Sequence, residues 1–296
     1  MRDRRSRDTH SRSARREQDA ARLVKAKLRC ADAGPLYKFA DAHGLDLNPW
    51  LKVYGEGSSV KAVNMAMQSL VLIPGLGSDG AVWRRTIAAL DGKVYCRVGD
   101  TLSDETLAGM ARRILSQAPK SFALAGVSMG GMVALELIKI APERVSRLAL
   151  VDTNARPDTL GRRAYRQLAN LVAGMTGDFR RLSERSVSSL VHPSAPDDVR
   201  AELVEMGARV GARTFIRQNS AVIARRDLRK ALPEIRVPTV VVVGEEDRIT
   251  PLEQSREIHR LTPGSTLHVI PDCGHLPPIE KPEALAALLN DLLERR

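Results

Sequence analysis

One serine in this chain stands in a setting typical of a nucleophile. Ser128 lies within Gly126-Val127-Ser128-Met129-Gly130-Gly131, after the apolar run 122–125 and before the apolar segment 132–138. This order predicts a strand, a sharp turn and a helix, with the serine at the apex of the turn. Flanking glycines leave room for the close approach of strand and helix that such a turn needs. The alternative is a glycine-rich turn in which the serine has no role.

A serine hydroxyl does not ionise at neutral pH, so Ser128 needs a base, and the base needs a group that orients it. Of the six histidines, His275 is the best placed, because it follows the last predicted strand and precedes the last predicted helix. The alternative is a histidine that only caps its loop. The others fall in the N-terminal segment, in a middle segment, or inside predicted helices and strands: His10, His43, His192, His259 and His268.

The orienting acid is expected at the end of an earlier strand. Asp247 follows a run of four valines and is our first candidate, with a helix-capping or turn aspartate as the alternative. Asp152, directly after the predicted strand 145–151, is the second candidate, since a carboxylate there would also reach the histidine. Glu245 and Glu246 are predicted to be solvated.

Attack by the serine would create an oxyanion, which needs two backbone donors. One expected donor is the N–H of Met129, at the start of the predicted helix, where the helix dipole favours negative charge. The other is the N–H of Leu76, in the loop Pro74-Gly75-Leu76-Gly77 after the first core strand. The alternatives are a plain strand–helix turn and a phosphate loop. The segment lacks the P-loop ending and the dinucleotide spacing, so we predict no nucleotide cofactor.

Short apolar runs alternate with amphipathic segments from residue 69 onwards. The predicted strands are 69–73, 94–98, 121–125, 145–151, 238–243 and 265–270. The predicted helices are 80–90, 103–117, 130–141, 251–261 and 281–295. Such alternation predicts an α/β fold with a doubly wound, mostly parallel sheet and right-handed crossovers. One edge of this sheet is expected to bring the serine, the histidine and the acid together.

The alternation stops between residues 155 and 230, where helical patterns follow one another. We predict a core formed by 65–154 and 231–296, with 155–230 as an inserted helical cap. The cap carries a net charge of +7, mostly from arginine, whereas the two core segments carry +2 and −4. Two interpretations stay open: a solvated helical surface, or recognition of an anionic acyl group or an acidic carrier protein. Five apolar side chains are expected to face the core or a pocket: Leu168, Leu171, Val172, Met175 and Phe179.

Residues 1–64 form a basic extension with a net charge of +6, predicted to be disordered because it has too few large apolar residues to form a core. Binding to nucleic acid or an acidic surface, a transit peptide, and an extension without a fixed role are the competing interpretations. Aromatic residues make up only 3% of the chain, which disfavours nucleic-acid binding by base stacking. Met65 or Met67 is a possible natural start.

The cysteines and the hydropathy indicate the compartment. Cys30, Cys96 and Cys273 are odd in number and widely spaced, without a disulfide framework or a metal-ligand pattern. The sequence contains no apolar stretch of about 18 residues and no signal peptide. We therefore predict a cytoplasmic protein that does not bind a membrane and needs no metal.

From about Leu70 to its C-terminus, the chain resembles the capped α/β-hydrolases. The motifs that carry the resemblance occur in the family's order: Pro-Gly-Leu-Gly at 74–77, Gly-Val-Ser-Met-Gly-Gly at 126–131, Pro-Glu-Arg-Val at 142–145, Gly-Glu-Glu-Asp at 244–247 and Gly-His at 274–275. The resemblance implies a serine hydrolase of the carboxylesterase type, which works through an acyl-enzyme without a cofactor. Its triad would be Ser128, Asp247 and His275.

Segment 152–158 is similar to bacterial members grouped with pimeloyl-acyl-carrier methyl ester esterases. Two departures from the family stand out: Pro74 replaces a histidine that many members have, and N-terminal antiparallel strands are not evident. We therefore expect six strands instead of eight. Thioester, lactone and carbon–carbon bond hydrolysis use the same triad and remain alternatives. A catalytically silent receptor or scaffold is the alternative outside enzymes.

Overall fold

The protein is described by a computed structural model that covers residues 68–90, 92 and 94–295. The predicted extension over residues 1–64 lies outside the described residues, and so do the two possible starts, Met65 and Met67. None of the helices in the described part of the chain combines the length and the apolar character that crossing a membrane requires.

A parallel sheet of six strands forms the centre of the described chain. The strands are β1 (Ser69–Ile73), β2 (Tyr95–Val98), β3 (Phe122–Val127), β4 (Val145–Val151), β5 (Thr239–Gly244) and β6 (Thr266–Ile270). Their order in the sheet is β2-β1-β3-β4-β5-β6, and every neighbouring pair is parallel. β3 and β5 are buried at every residue, as their apolar sequences require. The predicted fold class is confirmed, and the part of the chain that the structure describes contains the six predicted strands.

Helices cover both faces of this sheet. In chain order they are α1 (Arg84–Ala89), α2 (Leu107–Gln117), α3 (Met129–Ile140), α4 (Leu160–Thr176), α5 (Phe179–Leu190), α6 (Asp197–Ile223), α7 (Leu252–Leu261), α8 (Pro277–Glu280) and α9 (Pro282–Glu294). Side chains of β1 alternate between two cores. Val71 and Ile73 pack with residues of α2 and α3, whereas Leu70 and Leu72 pack with residues of α1 and α9.

Some predicted boundaries move because side chains compete with the helix backbone. The predicted helix 103–117 begins only at Leu107. Ahead of it, the Asp100 carboxylate accepts hydrogen bonds from the Leu102 N–H and the Ser103 hydroxyl, and Thr106 caps the helix at Gly109 N. These local bonds favour a turn and an N-cap over an additional helical turn.

Between β4 and β5, the helices α4, α5 and α6 follow one another without an intervening strand in the described chain. We call residues 155–230 the helical insertion. Thr159 caps the start of α4, because its hydroxyl accepts from Arg162 N, and Gly177, which has a φ of 63°, caps its end. α6 is broken at Gly211, where a φ of 73° interrupts the helical backbone.

The expected burial of the insertion's apolar residues is wrong for three of them. Leu168, Leu171 and Met175 are 58%, 59% and 79% exposed, whereas Phe179 is buried. α4 packs on α6 through small and polar residues instead of its long apolar side chains. Asn219 of α6 donates to the Arg166 carbonyl and to the Asn170 side chain, at 2.9 and 2.7 Å.

Candidate active site

Ser128 lies between the end of β3 and the start of α3, and its backbone is strained. Its φ of 56° and ψ of −119° are unusual for a residue with a side chain. Two hydrogen bonds hold this conformation: Ser128 N donates to Val151 O at 2.9 Å, and the Thr153 hydroxyl donates to Ser128 O at 2.7 Å. The turn therefore presents the serine hydroxyl at the carboxyl edge of the sheet.

Glycines make this turn possible, for the steric reason that the sequence predicts. A Cβ on Gly126 would lie 2.3 Å from the Gly130 carbonyl oxygen. A Cβ on Gly130 would lie 2.1 Å from the Ile73 carbonyl oxygen. Both distances are far below a van der Waals contact, so neither position accepts a side chain without displacing the backbone.

The structure brings Ser128, His275 and Asp247 into one line of hydrogen bonds. His275 Nε2 lies 2.9 Å from Ser128 Oγ, and His275 Nδ1 lies 2.8 Å from Asp247 Oδ2. An ionised carboxylate only accepts, so Nδ1 carries the proton and Nε2 is left to accept from the serine hydroxyl. Such a histidine can take a proton from Ser128.

The Asp247 carboxylate is held by its own loop. Oδ1 accepts from Ile249 N at 2.7 Å and Thr250 N at 3.0 Å, and Oδ2 accepts from the Thr250 hydroxyl at 2.6 Å. Burial on its own would raise the pKa of Asp247. The charge of His275 and hydrogen bonds from His275, Asp152 and Thr250 outweigh burial and hold the pKa of this carboxyl well below its usual range. Asp247 is therefore ionised at neutral pH.

The loop that carries His275 is held by contacts that sequence reasoning missed. His275 N donates to Leu190 O of the helical insertion at 2.7 Å. The carboxylate of Glu280 accepts from the backbone N–H groups of Gly274 and Leu276, at 3.1 and 3.0 Å. Glu280 comes five residues after His275, and its role depends on the turn that brings α8 back to the loop.

Both predicted oxyanion donors lie beside Ser128. Leu76 and Met129 line the same cavity as Ser128 and His275. A Cβ on Gly75 would come within 3.3 Å of the Ser128 Cβ, so this loop packs directly against the serine. Leu76 N makes no hydrogen bond with another described residue. Met129 is the first residue of α3, where the N–H has no acceptor within the helix.

A cavity of about 660 Å³ lies between this edge of the sheet and the helical insertion. Apolar residues such as Met132, Phe179 and Leu203 line much of it, together with serine and arginine side chains, so the cavity combines apolar surface with polar groups. Arg185 and Arg248 also line the cavity, and both are exposed and form no ion pair within the described chain.

A buried ionic network lies within the helical insertion, next to its junction with the core, where Arg225 also contacts the Asn154 side chain at 3.3 Å. Arg225 Nη2 and Arg166 Nε each bind the Asp158 carboxylate at 2.8 Å, and the side chains of Arg225 and Asp158 are each 1% exposed. Burial would raise the pKa of Asp158, but the hydrogen bond and the charge of Arg225, together with Arg166, lower it. The carboxylate is therefore ionised and paired, as buried charges must be.

Two groups of three potential metal ligands occur in the described residues: Asp152, Asp247 and His275, and separately His192, Glu246 and Asp272. In the first group, His275 Nδ1 and the Asp247 oxygens are already used in hydrogen bonds. The second group is partly exposed, and no further observation indicates an ion there. We assign no metal to either group.

Curated proteins similar to this chain are named as esterases. A pimeloyl-[acyl-carrier protein] methyl ester esterase from Aromatoleum aromaticum is 27% identical over 248 residues, which covers 77% of this chain and 99% of the relative. One of the same name from Neisseria meningitidis is 30% identical over 196 residues, covering 64% of this chain and 75% of the relative.

Solved structures give the same fold. A thermophilic esterase from Thermogutta terrifontis has a TM-score of 0.70 and 26% identity, covering 76% of this chain and 89% of that chain. The enol-lactonase from Burkholderia xenovorans has a TM-score of 0.69 over 77% of this chain and 92% of its own, and at 21% identity it supports the fold alone. Residues 70–288 match the model of the alpha/beta hydrolase family, to which this chain therefore belongs.

Proposed function

We propose that the protein hydrolyses a carboxylic ester through an acyl-enzyme, with Ser128 as nucleophile, His275 as general base and Asp247 as orienting acid. The observation that carries the proposal is the pair of contacts at His275, 2.9 Å to Ser128 Oγ and 2.8 Å to Asp247 Oδ2. Nucleophile, base and orienting carboxylate in this order are the arrangement that acyl transfer requires.

In the first half-reaction, Ser128 Oγ attacks the ester carbonyl carbon while its proton moves to His275 Nε2. The N–H groups of Leu76 and Met129 bind the resulting oxyanion. When the tetrahedral intermediate collapses, the carbon–oxygen bond to the alcohol breaks, and His275 returns the proton to the leaving alkoxide. The acyl group is then bound to Ser128 Oγ.

In the second half-reaction, water replaces the alcohol. His275 takes a proton from the water, whose oxygen attacks the acyl carbonyl, and the proton passes to Ser128 Oγ as the carboxylic acid leaves. Asp247 stays ionised throughout, since its pKa is held low. It keeps the imidazole in the productive tautomer and stabilises its protonated form. Every step uses side chains and backbone of this chain, and the proposal includes no metal or cofactor.

The relatives named pimeloyl-[acyl-carrier protein] methyl ester esterase support a small alkyl ester of a medium-length acyl group as the substrate class. The apolar part of the lining of the 660 Å³ cavity, which includes Met132, Phe179 and Leu203, suits such a chain. In this proposal the helical insertion is a cap that selects the acyl group. Thioester, lactone and carbon–carbon bond hydrolysis remain alternatives, which a substrate panel with varied acyl length and terminal charge would separate.

A second proposal concerns a partner. Four exposed arginines of the insertion form no ion pair within the described chain: Arg181, Arg185, Arg213 and Arg226. These charges suit an acidic carrier protein that presents the ester. With a carrier-linked ester as substrate, KM should rise steeply as the ionic strength increases. KM should also rise in the variant Arg181→Glu, but not in the control Arg236→Glu, which changes an exposed arginine of the core. A flat salt profile would exclude this docking.

Replacement of Ser128 by alanine tests the main proposal. S128A should lose turnover of a short-chain aryl ester while its circular dichroism and thermal unfolding stay like those of the wild type. Ser186→Ala is the matched control, because Ser186 lines the same cavity and its hydroxyl bonds only to the Leu182 carbonyl. Retained turnover in S128A would contradict the mechanism and favour a non-catalytic role. The cytoplasmic location stays a prediction.

A further inference from the structure

Asp152 is a buried carboxyl group that the proposed mechanism does not use. It follows β4 directly, it is 0% exposed, and it is the second candidate for the orienting acid in the sequence. His275 Nδ1 is instead bound to Asp247.

The position of Asp152 is fixed by the backbone of β5. Asp152 N donates to Val242 O at 2.9 Å, and Asp152 Oδ1 accepts from Gly244 N at 2.9 Å. Its own φ of 41° is rare for a residue with a side chain, which indicates that these contacts hold it against local preference. One carboxylate oxygen of Asp152, one of Asp247 and a ring nitrogen of His275 all lie within 4.8 Å of one another.

Asp152 Oδ2 has no donor among the described residues when both aspartates are taken as ionised. Without a proton, these two carboxylates would leave a buried acceptor unpaired and place two negative charges within 4.8 Å of each other. A single proton between them converts this repulsion into a hydrogen bond. Asp247 already accepts from Ile249 N, Thr250 and His275, so Asp152 is the group that keeps the proton.

The surrounding charges favour the same assignment. Burial, then the charge of Asp247 and the hydrogen bond with it, raise the pKa of Asp152 well above its usual value, and Glu280 adds to the rise. The N–H of Gly244 opposes these effects without cancelling them. Burial also raises the pKa of the neighbouring Cys273 thiol, which is therefore neutral at pH 7. The imidazole of His275, which binds Asp247 through Nδ1, is the other group of this cluster.

We propose that Asp152 is a positioning residue that, as a neutral carboxylic acid, donates a hydrogen bond to the Asp247 carboxylate and fixes that carboxylate against His275. The proton remains on Asp152 throughout turnover. The role rests on the proposed function of the site, because it acts only through Asp247. It also explains how Asp247 can be ionised next to a second buried aspartate.

Asparagine at position 152 mimics the neutral acid. Its side-chain oxygen can accept from Gly244 N, and its amide can donate to Asp247, whereas alanine can do neither. D152A should lower kcat by about tenfold with little change in KM, and D152N should recover most of that loss. In D152A the acidic limb of the pH profile should move to higher pH, because Asp247 loses a donor and stabilises the protonated imidazole more strongly.

Infrared spectroscopy tests the proton directly, without turnover. The difference spectrum between wild type and D152N at pH 7 should contain the carbonyl stretch of a protonated carboxylic acid. The control is Asp272→Asn, an exposed aspartate near the same loop, whose difference spectrum should contain carboxylate bands only.

Three results would overturn the proposal: carboxylate bands alone in the D152N difference spectrum, an acidic limb that moves to lower pH in D152N, or wild-type kcat in D152A. Should D152A fail to fold, the spectrum and the pH profile of D152N still decide. The proposed function can fail independently, because retained turnover in S128A leaves the infrared band in place. If S128A loses turnover but the acid band is missing from the D152N difference spectrum, the proposed function stands and only the role of Asp152 is contradicted.

Discussion

The carboxyl edge of the sheet and the helical insertion contribute to the same cavity but are built differently. At the sheet edge, Ser128, Asp247 and His275 are held by short hydrogen bonds and a strained backbone, and the last two are buried. The insertion presents exposed arginines and exposed apolar side chains such as Leu168 and Met175. Under the proposed function, the sheet edge would fix the geometry for chemistry, and the insertion would supply the surface for recognition.

The contrast follows from how each region reaches its position. Parallel strands end at a common edge, so residues that are distant in sequence meet there with little freedom. The insertion contacts the core through polar bonds such as those of Arg162 to the Ile249 carbonyl and Arg225 to Asn154. Within the insertion, Asp158–Arg225 is the most enclosed ion pair. Changes at the sheet edge should therefore affect turnover, and changes in the insertion should affect stability or substrate selection.

The largest effect is expected at the sheet edge. Asp247→Asn keeps the shape of the side chain but removes the charge that selects the histidine tautomer, so kcat should fall by about 10⁴-fold. Unfolding by urea should show a folded protein, and His268→Gln on β6 serves as a histidine control away from the site. A decrease of less than tenfold would indicate that another group, with Asp152 first, orients His275.

A large effect on stability is expected at the buried ion pair within the insertion. Asp158→Ala leaves the buried Arg225 without its partner, so the free energy of unfolding should fall by about 3–5 kcal/mol. Asp178→Ala, which removes an exposed helix cap in the same insertion, should cost only about 1 kcal/mol. Equal losses in the two variants, measured by urea unfolding, would contradict the special role of the buried pair.

The smallest effect is expected on the outer face of α4. Leu168→Gln and Leu171→Gln should each change the free energy of unfolding by no more than about 0.5 kcal/mol, because both side chains are already exposed. Leu124→Ala in β3, which is fully buried, should cost about 2–5 kcal/mol. A large loss in the α4 variants would mean that this face is covered in solution.

Much of the core could be predicted from sequence because its signals are local. Apolar runs predicted the strands, and the motif around Ser128 predicted the sharp turn between β3 and α3 that the structure contains. The insertion was harder, because an amphipathic helix does not reveal which face its neighbour covers. α4 packs on α6 through Asn170 and Arg166, so the apolar face predicted to be inside lies outside.

The role proposed for Asp152 could not be derived from sequence for a related reason. Its position depends on the register between β4 and β5, which brings Asp152 against Val242 and Gly244. Sequence reasoning identified two carboxylates near the histidine, but it could not assign the contact with Nδ1 to one of them. Glu280 was missed because its contacts depend on the short helix α8.

Covalent labelling at Ser128 tests the central claim most directly. A fluorophosphonate probe should form one adduct, which peptide mass spectrometry locates on Ser128, and the adduct should be absent from S128A. In His275→Ala the rate of labelling should fall by several orders of magnitude, because the serine then has no base. An adduct on another serine, or a folded wild-type protein that hydrolyses esters without labelling at Ser128, would contradict the account.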